Sequence, residues 1–178
     1  GKGGVMMTIA TVVTTIRILL VPVFMALLLV KIPYGVFWAA AVFVLAAATD
    51  GLDGYLARSR NEVTKLGILL DPLADKLLIS AALVSLVQLG RISAWVAMLI
   101  IGREFAVTGL RLIAAGEGLV IPASKLGKLK TISQIVAVVA VLISFPGDQI
   151  LLWIAVAITI WSGIDYFAKA SEVLKLTK

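Results

Sequence analysis

The sequence reads as an all-α protein that crosses a membrane six times, and three observations carry that reading. Apolar residues make up 61% of the chain and its mean hydropathy is +1.11, the composition of helical membrane proteins rather than of soluble domains. The apolar stretches are long and are separated by short polar turns. The basic residues fall unevenly between alternate turns, the bias that fixes how a membrane protein is oriented.

The opening Gly1-Lys2-Gly3-Gly4 has no apolar core or cleavage site and reads as an expression remnant or frayed terminus rather than a signal peptide. The first apolar segment runs from about Val5 to Val30. Within it Thr11, Thr14 and Arg17 recur at i, i+3 and i+6, a polar stripe on an otherwise apolar helix. That stripe is either the outward edge of an interfacial helix, with Arg17 snorkelling, or is aimed at a polar site. Pro22 is expected to kink or divide the segment, because it lacks an amide donor.

Lys31 to Gly35 form a turn, and the apolar run Val36 to Thr49 makes a second span that delivers Asp50 near its end. The third span begins around Thr64 and continues through Leu89, with Asp71, Asp75 and Lys76 in its first half. Pro72 should distort it locally beside Asp71. Ser93 is suited to cap the fourth span, about Ile92 to Ala115, whose second half carries Arg103, Val107 and Arg111 at i, i+4 and i+8. Ser124 is suited to cap the fifth, which starts with Lys125, Lys128 and Lys130 and continues as the apolar run Ile132 to Phe145. Pro146-Gly147-Asp148 turns the chain into a sixth span, about Gln149 to Phe167, and the tail from Lys169 is polar enough to leave the membrane.

Six spans put both termini on one side. Of the sixteen Lys and Arg residues, Lys31 and Arg91 alone lie in the odd-numbered turns; the rest lie on the side of the termini, which the positive-inside bias makes cytoplasmic. The acids between Asp50 and Asp75, the arginine stripe and the lysine cluster therefore belong to the same membrane face. With no Cys and no His, disulfides, thiolate nucleophiles, ordinary zinc sites and a histidine base are excluded. The net charge of +6 would suit nucleic acid, but basic residues set in short loops beside apolar segments suit membrane orientation and anionic lipid or phosphate instead.

Four of the ten acidic residues lie close together, at Asp50, Asp53, Asp71 and Asp75. Helical spacing puts Asp50 and Asp53 on one face (i, i+3) and Asp71 and Asp75 on another (i, i+4). Ser59, Arg60 and Asn61 supply turn chemistry between the two helices, which are expected to pack antiparallel. Gly54 and Gly67 permit close approach of backbone or ligand. Four convergent carboxylates in apolar surroundings repel one another and protonate unless a cation holds them ionised. Ion pairs with Arg58, Lys65 or Lys76 are the bland alternative. An all-oxygen donor set suits Mg²⁺, Mn²⁺ or Ca²⁺, with room for two ions, and a metal site beside a basic pocket is the layout for phosphoryl chemistry.

The pattern Asp50-x2-Asp53-Gly54-x2-Ala57-Arg58-x8-Gly67-x3-Asp71-x3-Asp75 resembles, at every fixed position, the signature of the CDP-alcohol phosphatidyltransferases. The segments Asp71 to Leu78, Arg103-Glu104-Phe105-Ala106-Val107-Thr108-Gly109-Leu110-Arg111, Leu126-Gly127-Lys128-Leu129-Lys130-Thr131 and Ser162 to Phe167 widen the likeness to nearly the whole chain, and are similar to those of the family's bacterial phosphatidylglycerophosphate synthases. The resemblance implies six transmembrane helices around a cytoplasm-facing polar cavity, in a multi-pass protein of the bacterial cytoplasmic membrane. It implies transfer of a phosphatidyl group from CDP-diacylglycerol to glycerol 3-phosphate with release of CMP, and a homodimer as the family's habit. It also implies that Asp50, Asp53, Asp71 and Asp75 bind two ions, Mg²⁺ or Mn²⁺, with Asp75 also the base that takes the acceptor's hydroxyl proton.

By the same resemblance Gly54, Ala57, Arg58, Thr64 and Gly67, together with Asp53, hold the cytidine nucleotide, and Thr14 and Arg17 match a substrate-binding Asn-x2-Thr-x2-Arg pattern. Thr11 stands where the family commonly has Asn, one donor in place of two. Arg103, Arg111 and Lys128 are expected to hold the acceptor's phosphate, since a dianion near a membrane demands more than one cation. Lys125 and Lys130 read more readily as membrane anchors. The rival acceptors are inositol phosphate and phosphatidylglycerol. A cation or proton transporter would instead spread its acids along the membrane depth or repeat them in two halves, and neither pattern is found.

Overall fold

The structure, a computed structural model, describes residues 9–60, 65–119, 121 and 125–175, with side chains for 11–49, 73–119, 121 and 125–175. Among these residues there are six α-helices and no strand: α1 (Ile9–Leu29), α2 (Gly35–Arg60), α3 (Lys65–Gln88), α4 (Ala94–Gly116), α5 (Lys125–Leu142) and α6 (Asp148–Lys175). They form two compact units, α1 to α3 and α4 to α6.

In the first unit α1 packs on both α2 and α3. Its inner face is the stripe Thr11, Thr14, Arg17, Val21, Phe24 and Leu28, all buried, at steps of three or four residues. The buried residues of the two helices it packs on include many small ones, Ala39, Ala40 and Ala46 on α2 and Ala74, Ala81 and Ala82 on α3, which let backbones come close. Phe24 meets Phe43 with ring centroids 5.8 Å apart and planes tilted by 45°. The large apolar side chains pointing away from this core, among them Leu19, Phe37, Trp38 and Leu45, are exposed. A membrane-spanning helix presents such a surface to lipid.

The turn between α1 and α2 is tight. Tyr34 takes a positive φ of 59°, and the Gly35 amide donates to the Ile32 carbonyl at 2.9 Å. A Cβ at Gly35 would stand 2.5 Å from the Leu27 carbonyl oxygen, a backbone atom that cannot swing aside. Gly35→Ala is accordingly expected to destabilise the protein by on the order of 2 kcal/mol, visible as a lower midpoint of thermal unfolding in detergent; an unchanged midpoint would show that the α1–α2 turn relaxes freely.

In the second unit α6 packs on α4 and on α5. Ser93 caps α4, its hydroxyl accepting from the Trp95 amide at 3.1 Å. At the same end Arg91 donates to the Val141 carbonyl and, at 2.6 Å, to the Ser144 hydroxyl, while the Gln149 side-chain amide donates to the Arg91 carbonyl at 3.3 Å. One arginine thereby joins the start of α4 to the turn between α5 and α6, where Ser144 and Gly147 both have positive φ.

The helices differ from the sequence reading in length. α1 runs unbroken through Pro22 rather than dividing there, since one lost backbone hydrogen bond inside a long apolar helix is tolerated. α2 continues to Arg60, past the Ser59-Arg60 pair expected to turn, and α6 continues to Lys175, well beyond Phe167. Helix propensity carries both into polar sequence. Two of the described helices are long and apolar enough to cross a membrane: Thr11–Leu29, with mean hydropathy 2.4, and Asp148–Lys175, with 1.8. Gly35–Thr49 is apolar but shorter. α4 and α5 fall short for a local reason: every membrane-length stretch of α4 includes Arg103, Glu104 and Arg111, and α5 opens with three lysines.

Candidate active site

The acidic candidates lie in the first unit. Continuous helix carries Asp50 and Asp53 three residues apart on the last part of α2, and Asp71 and Asp75 four apart on the first part of α3. Each pair therefore shares a helix face, as the spacing requires. The side chains of Asp50, Asp53, Gly54, Ala57, Arg58, Gly67 and Asp71, and Thr64 altogether, lie outside the described residues. Among the described residues no three acids gather around one point. Asp75 is described and half-buried, adjoining the fully buried Ala74 and one turn before Leu78, on the margin of the face that α3 turns to the core.

Thr11, Thr14 and Arg17 are 1%, 0% and 1% exposed. The interfacial reading of α1, with Arg17 snorkelling to the headgroups, is therefore incorrect: the stripe points into the unit. A guanidinium drawn out of water is costly unless an anion or ligand compensates it. The helices packed against α1 are those bearing Asp50, Asp53, Asp71 and Asp75.

The basic candidates lie in the second unit, and the structure divides these cations into two kinds. Arg103 lies flat on α6. Its Nε donates to the Thr159 carbonyl at 3.1 Å, its Nη2 to the Ser162 hydroxyl at 2.9 Å, and its Nη1 meets Glu104 Oε1 at 3.3 Å. The Ser162 hydroxyl donates in turn to the Thr159 carbonyl at 2.9 Å, and the Gln134 side-chain amide donates to the Thr159 hydroxyl at 2.9 Å. Gly163 makes room for this arrangement, since a Cβ there would come within 3.0 Å of Arg103 Cγ and 3.2 Å of Nε. Lys130 of α5 donates to the same Glu104 oxygen at 2.8 Å. One carboxylate is thus shared by two cations, and the side chains of Arg103, Glu104 and Lys130 keep only 11%, 15% and 11% of their surface. The network ties α4, α5 and α6 to one another.

Arg111, two turns further along α4, is exposed. Its Nε donates to the Tyr166 hydroxyl at 3.2 Å, and its guanidinium carbon lies 5.2 Å from the centre of the Tyr166 ring. Lys128 and Lys125 are exposed on the first turn of α5. Lys130, expected to be an anchor, is instead buried against Glu104.

Glu104, Gln134, Thr159, Ser162 and Tyr166 were not singled out by sequence reasoning. A signal existed for the last three: on an apolar helix they recur at i, i+3 and i+7, one polar stripe. Glu104 carried no comparable signal, because an acid adjacent to an arginine in sequence says nothing about a lysine 26 residues away.

Comparison with known proteins places these residues in context. Residues 7–161 match the family model described as CDP-alcohol phosphatidyltransferase. A Bacillus subtilis protein named CDP-diacylglycerol–glycerol-3-phosphate 3-phosphatidyltransferase is 47% identical over 183 aligned positions, covering 92% of this chain and 95% of its own. A Rickettsia typhi protein of the same name is 37% identical, covering 86% and 92%. A probable phosphatidylglycerophosphate synthase of Mycobacterium tuberculosis is 39% identical, covering 91% and 81%.

Proposed function

The chain belongs to the CDP-alcohol phosphatidyltransferase family, and on that premise we propose that it transfers a phosphatidyl group from CDP-diacylglycerol to glycerol 3-phosphate, forming phosphatidylglycerophosphate and CMP. The observation that carries this reading is the extent of the similarity: the matched residues take in both helices bearing the four carboxylates and the α4 segment from Arg103 to Arg111. In the finer reading all six helices cross the bacterial cytoplasmic membrane, with the polar cavity open to the cytoplasm. The one-sided placement of Lys and Arg supports it. A homodimer rests on the family resemblance alone.

Asp50, Asp53, Asp71 and Asp75 fit a hard divalent cation by donor chemistry, all oxygen on adjoining parts of two helices, and we assign two Mg²⁺ or Mn²⁺ ions to them. Such ions, when bound, neutralise the diphosphate and the charge that develops on departing CMP. Asp75 takes the proton from the acceptor's hydroxyl as that oxygen attacks the phosphatidyl phosphorus. Gly54, Ala57, Arg58, Thr64 and Gly67, with Asp53, are assigned to the cytidine nucleotide on the family resemblance, the glycines because they permit close approach. Thr14 and Arg17 approach the same substrate from α1.

Arg111 and Lys128 carry the acceptor's phosphate. Arg103, whose three nitrogens already have protein partners, serves the pocket chiefly by holding α4 against α6. Two N–H bonds of its guanidinium remain for the phosphate.

CMP release from CDP-diacylglycerol, measured with glycerol 3-phosphate, inositol phosphate and phosphatidylglycerol in turn, tests the reaction and its acceptor together. Release with glycerol 3-phosphate alone is expected; release only with another alcohol would overturn the acceptor. Within the pocket, Arg111→Ala should raise the apparent KM for glycerol 3-phosphate by about tenfold or more and leave that for CDP-diacylglycerol nearly unchanged, as loss of a charged hydrogen bond to one substrate requires. A change confined to the nucleotide substrate would mean that Arg111 serves the other half of the site.

A further inference from the structure

Tyr166 lies opposite the one arginine of α4 that remains exposed, and the geometry points to it as a positioning residue for Arg111. The inference rests on the assignment of Arg111 to the acceptor's phosphate. Tyr166 is 5% exposed and fixed by packing among Val107, Ala114, Ile121 and Ala170, with Leu110 and Leu119 against them. Its ring has few ways to move. Arg111, by contrast, is a long side chain on the exposed part of α4 and would sample many rotamers if nothing held it.

Two contacts hold it. The ring face lies against the guanidinium at 5.2 Å, and the phenol oxygen accepts from Nε at 3.2 Å. Together they fix both the plane of the guanidinium and its rotation within that plane. The fork is left with its outer side open: Nε is satisfied by Tyr166, while the four N–H bonds of the two terminal nitrogens keep the parallel spacing that a phosphate accepts in pairs. A guanidinium already aimed in this way binds its anion without the ordering cost that a free side chain incurs. Arg103, at the same interface between α4 and α6, shows the opposite use: its Nε and both terminal nitrogens are turned to protein groups. The two arginines eight residues apart are thereby divided into one that builds the pocket and one that is presented to the ligand.

Tyr166→Phe tests this, because it keeps the ring and its packing and removes only the oxygen that accepts from Nε. The full-length enzyme in detergent is assayed for CMP release while each substrate is varied, and unfolding midpoints are taken for every variant. Expected is a rise of about fivefold in KM for glycerol 3-phosphate, the size of one net hydrogen bond, with kcat within about twofold and KM for CDP-diacylglycerol unchanged. In an Arg111→Ala background Tyr166→Phe should add nothing, since the residue acts through the arginine. Arg111→Lys, which keeps the charge but has no Nε donor, should likewise be indifferent to Tyr166→Phe. If Arg111→Ala raises KM for glycerol 3-phosphate and Tyr166→Phe does not, the positioning role is overturned and the acceptor assignment stands. If Tyr166→Phe has the same effect with and without Arg111, Tyr166 does not act through it and the inference is again overturned. If Arg111→Ala leaves that KM unchanged, the acceptor assignment falls and the inference falls with it.

Discussion

Replacing Asp71 by Asn is expected to lower CMP release from CDP-diacylglycerol by about a thousandfold or more. The substitution keeps size and shape and removes one negative charge from a set of four. On the proposed reading a divalent cation is what brings these carboxylates together, and the cation in turn requires their full charge. The loss should appear in kcat. Chelation of divalent ions from the unmodified enzyme should abolish release, and Mg²⁺ or Mn²⁺ should restore it; excess Mn²⁺ should rescue the Asn variant poorly. Asp148→Asn, at the opposite end of α6 in the turn after α5, is the control that leaves activity unchanged. Near-normal turnover of the Asp71 variant would eliminate the four-carboxylate site.

Glu104→Ala should produce the largest loss of stability of any single change in the second unit. It leaves the Lys130 ammonium and one nitrogen of Arg103 without the carboxylate they share, in a region where both side chains are nearly nine-tenths enclosed. Stranding a buried charge in this way costs on the order of 3 kcal/mol, which for a chain of this size lowers the unfolding midpoint by about 10 °C. Because the cost comes from the stranded cation, adding Lys130→Met to Glu104→Ala is expected to recover part of the loss. Strictly additive losses in the double variant would show that the pair is not what holds α4 and α5 together.

How far the sequence could be read depends on whether a feature is local. The spacing of Asp50 with Asp53 and of Asp71 with Asp75 is a property of one helix each, and the structure carries all four on continuous helix. The Ser93 cap, two residues from the amide it receives, was legible for the same reason. Helix ends were less so: nothing at Ser59 or Phe167 stops a helix, and both α2 and α6 run past those points. Pro22 shows the converse, a breaker by composition that sits inside an unbroken α1.

Facing was not legible at all. When a helix is apolar on every side, its hydrophobic pattern does not tell a neighbouring helix from lipid, so Arg17 read equally well as a snorkelling anchor and as a buried group; the structure buries it. Lys130 and Lys128 are two residues apart in one lysine cluster, yet one is enclosed against Glu104 and the other exposed. Arg103 and Arg111 share a stripe, yet α6 takes up the first with Thr159 and Ser162 and meets the second, still exposed, with Tyr166.

The sequence by itself determined the helical membrane class, the family, and which charged residues share a helix face. Those are matters of composition and of spacing along one helix. Only the tertiary structure decided which cations hold helices together and which stay exposed, because a side chain's partner here lies 26 to 59 residues away, and that pairing is set by which helix faces meet.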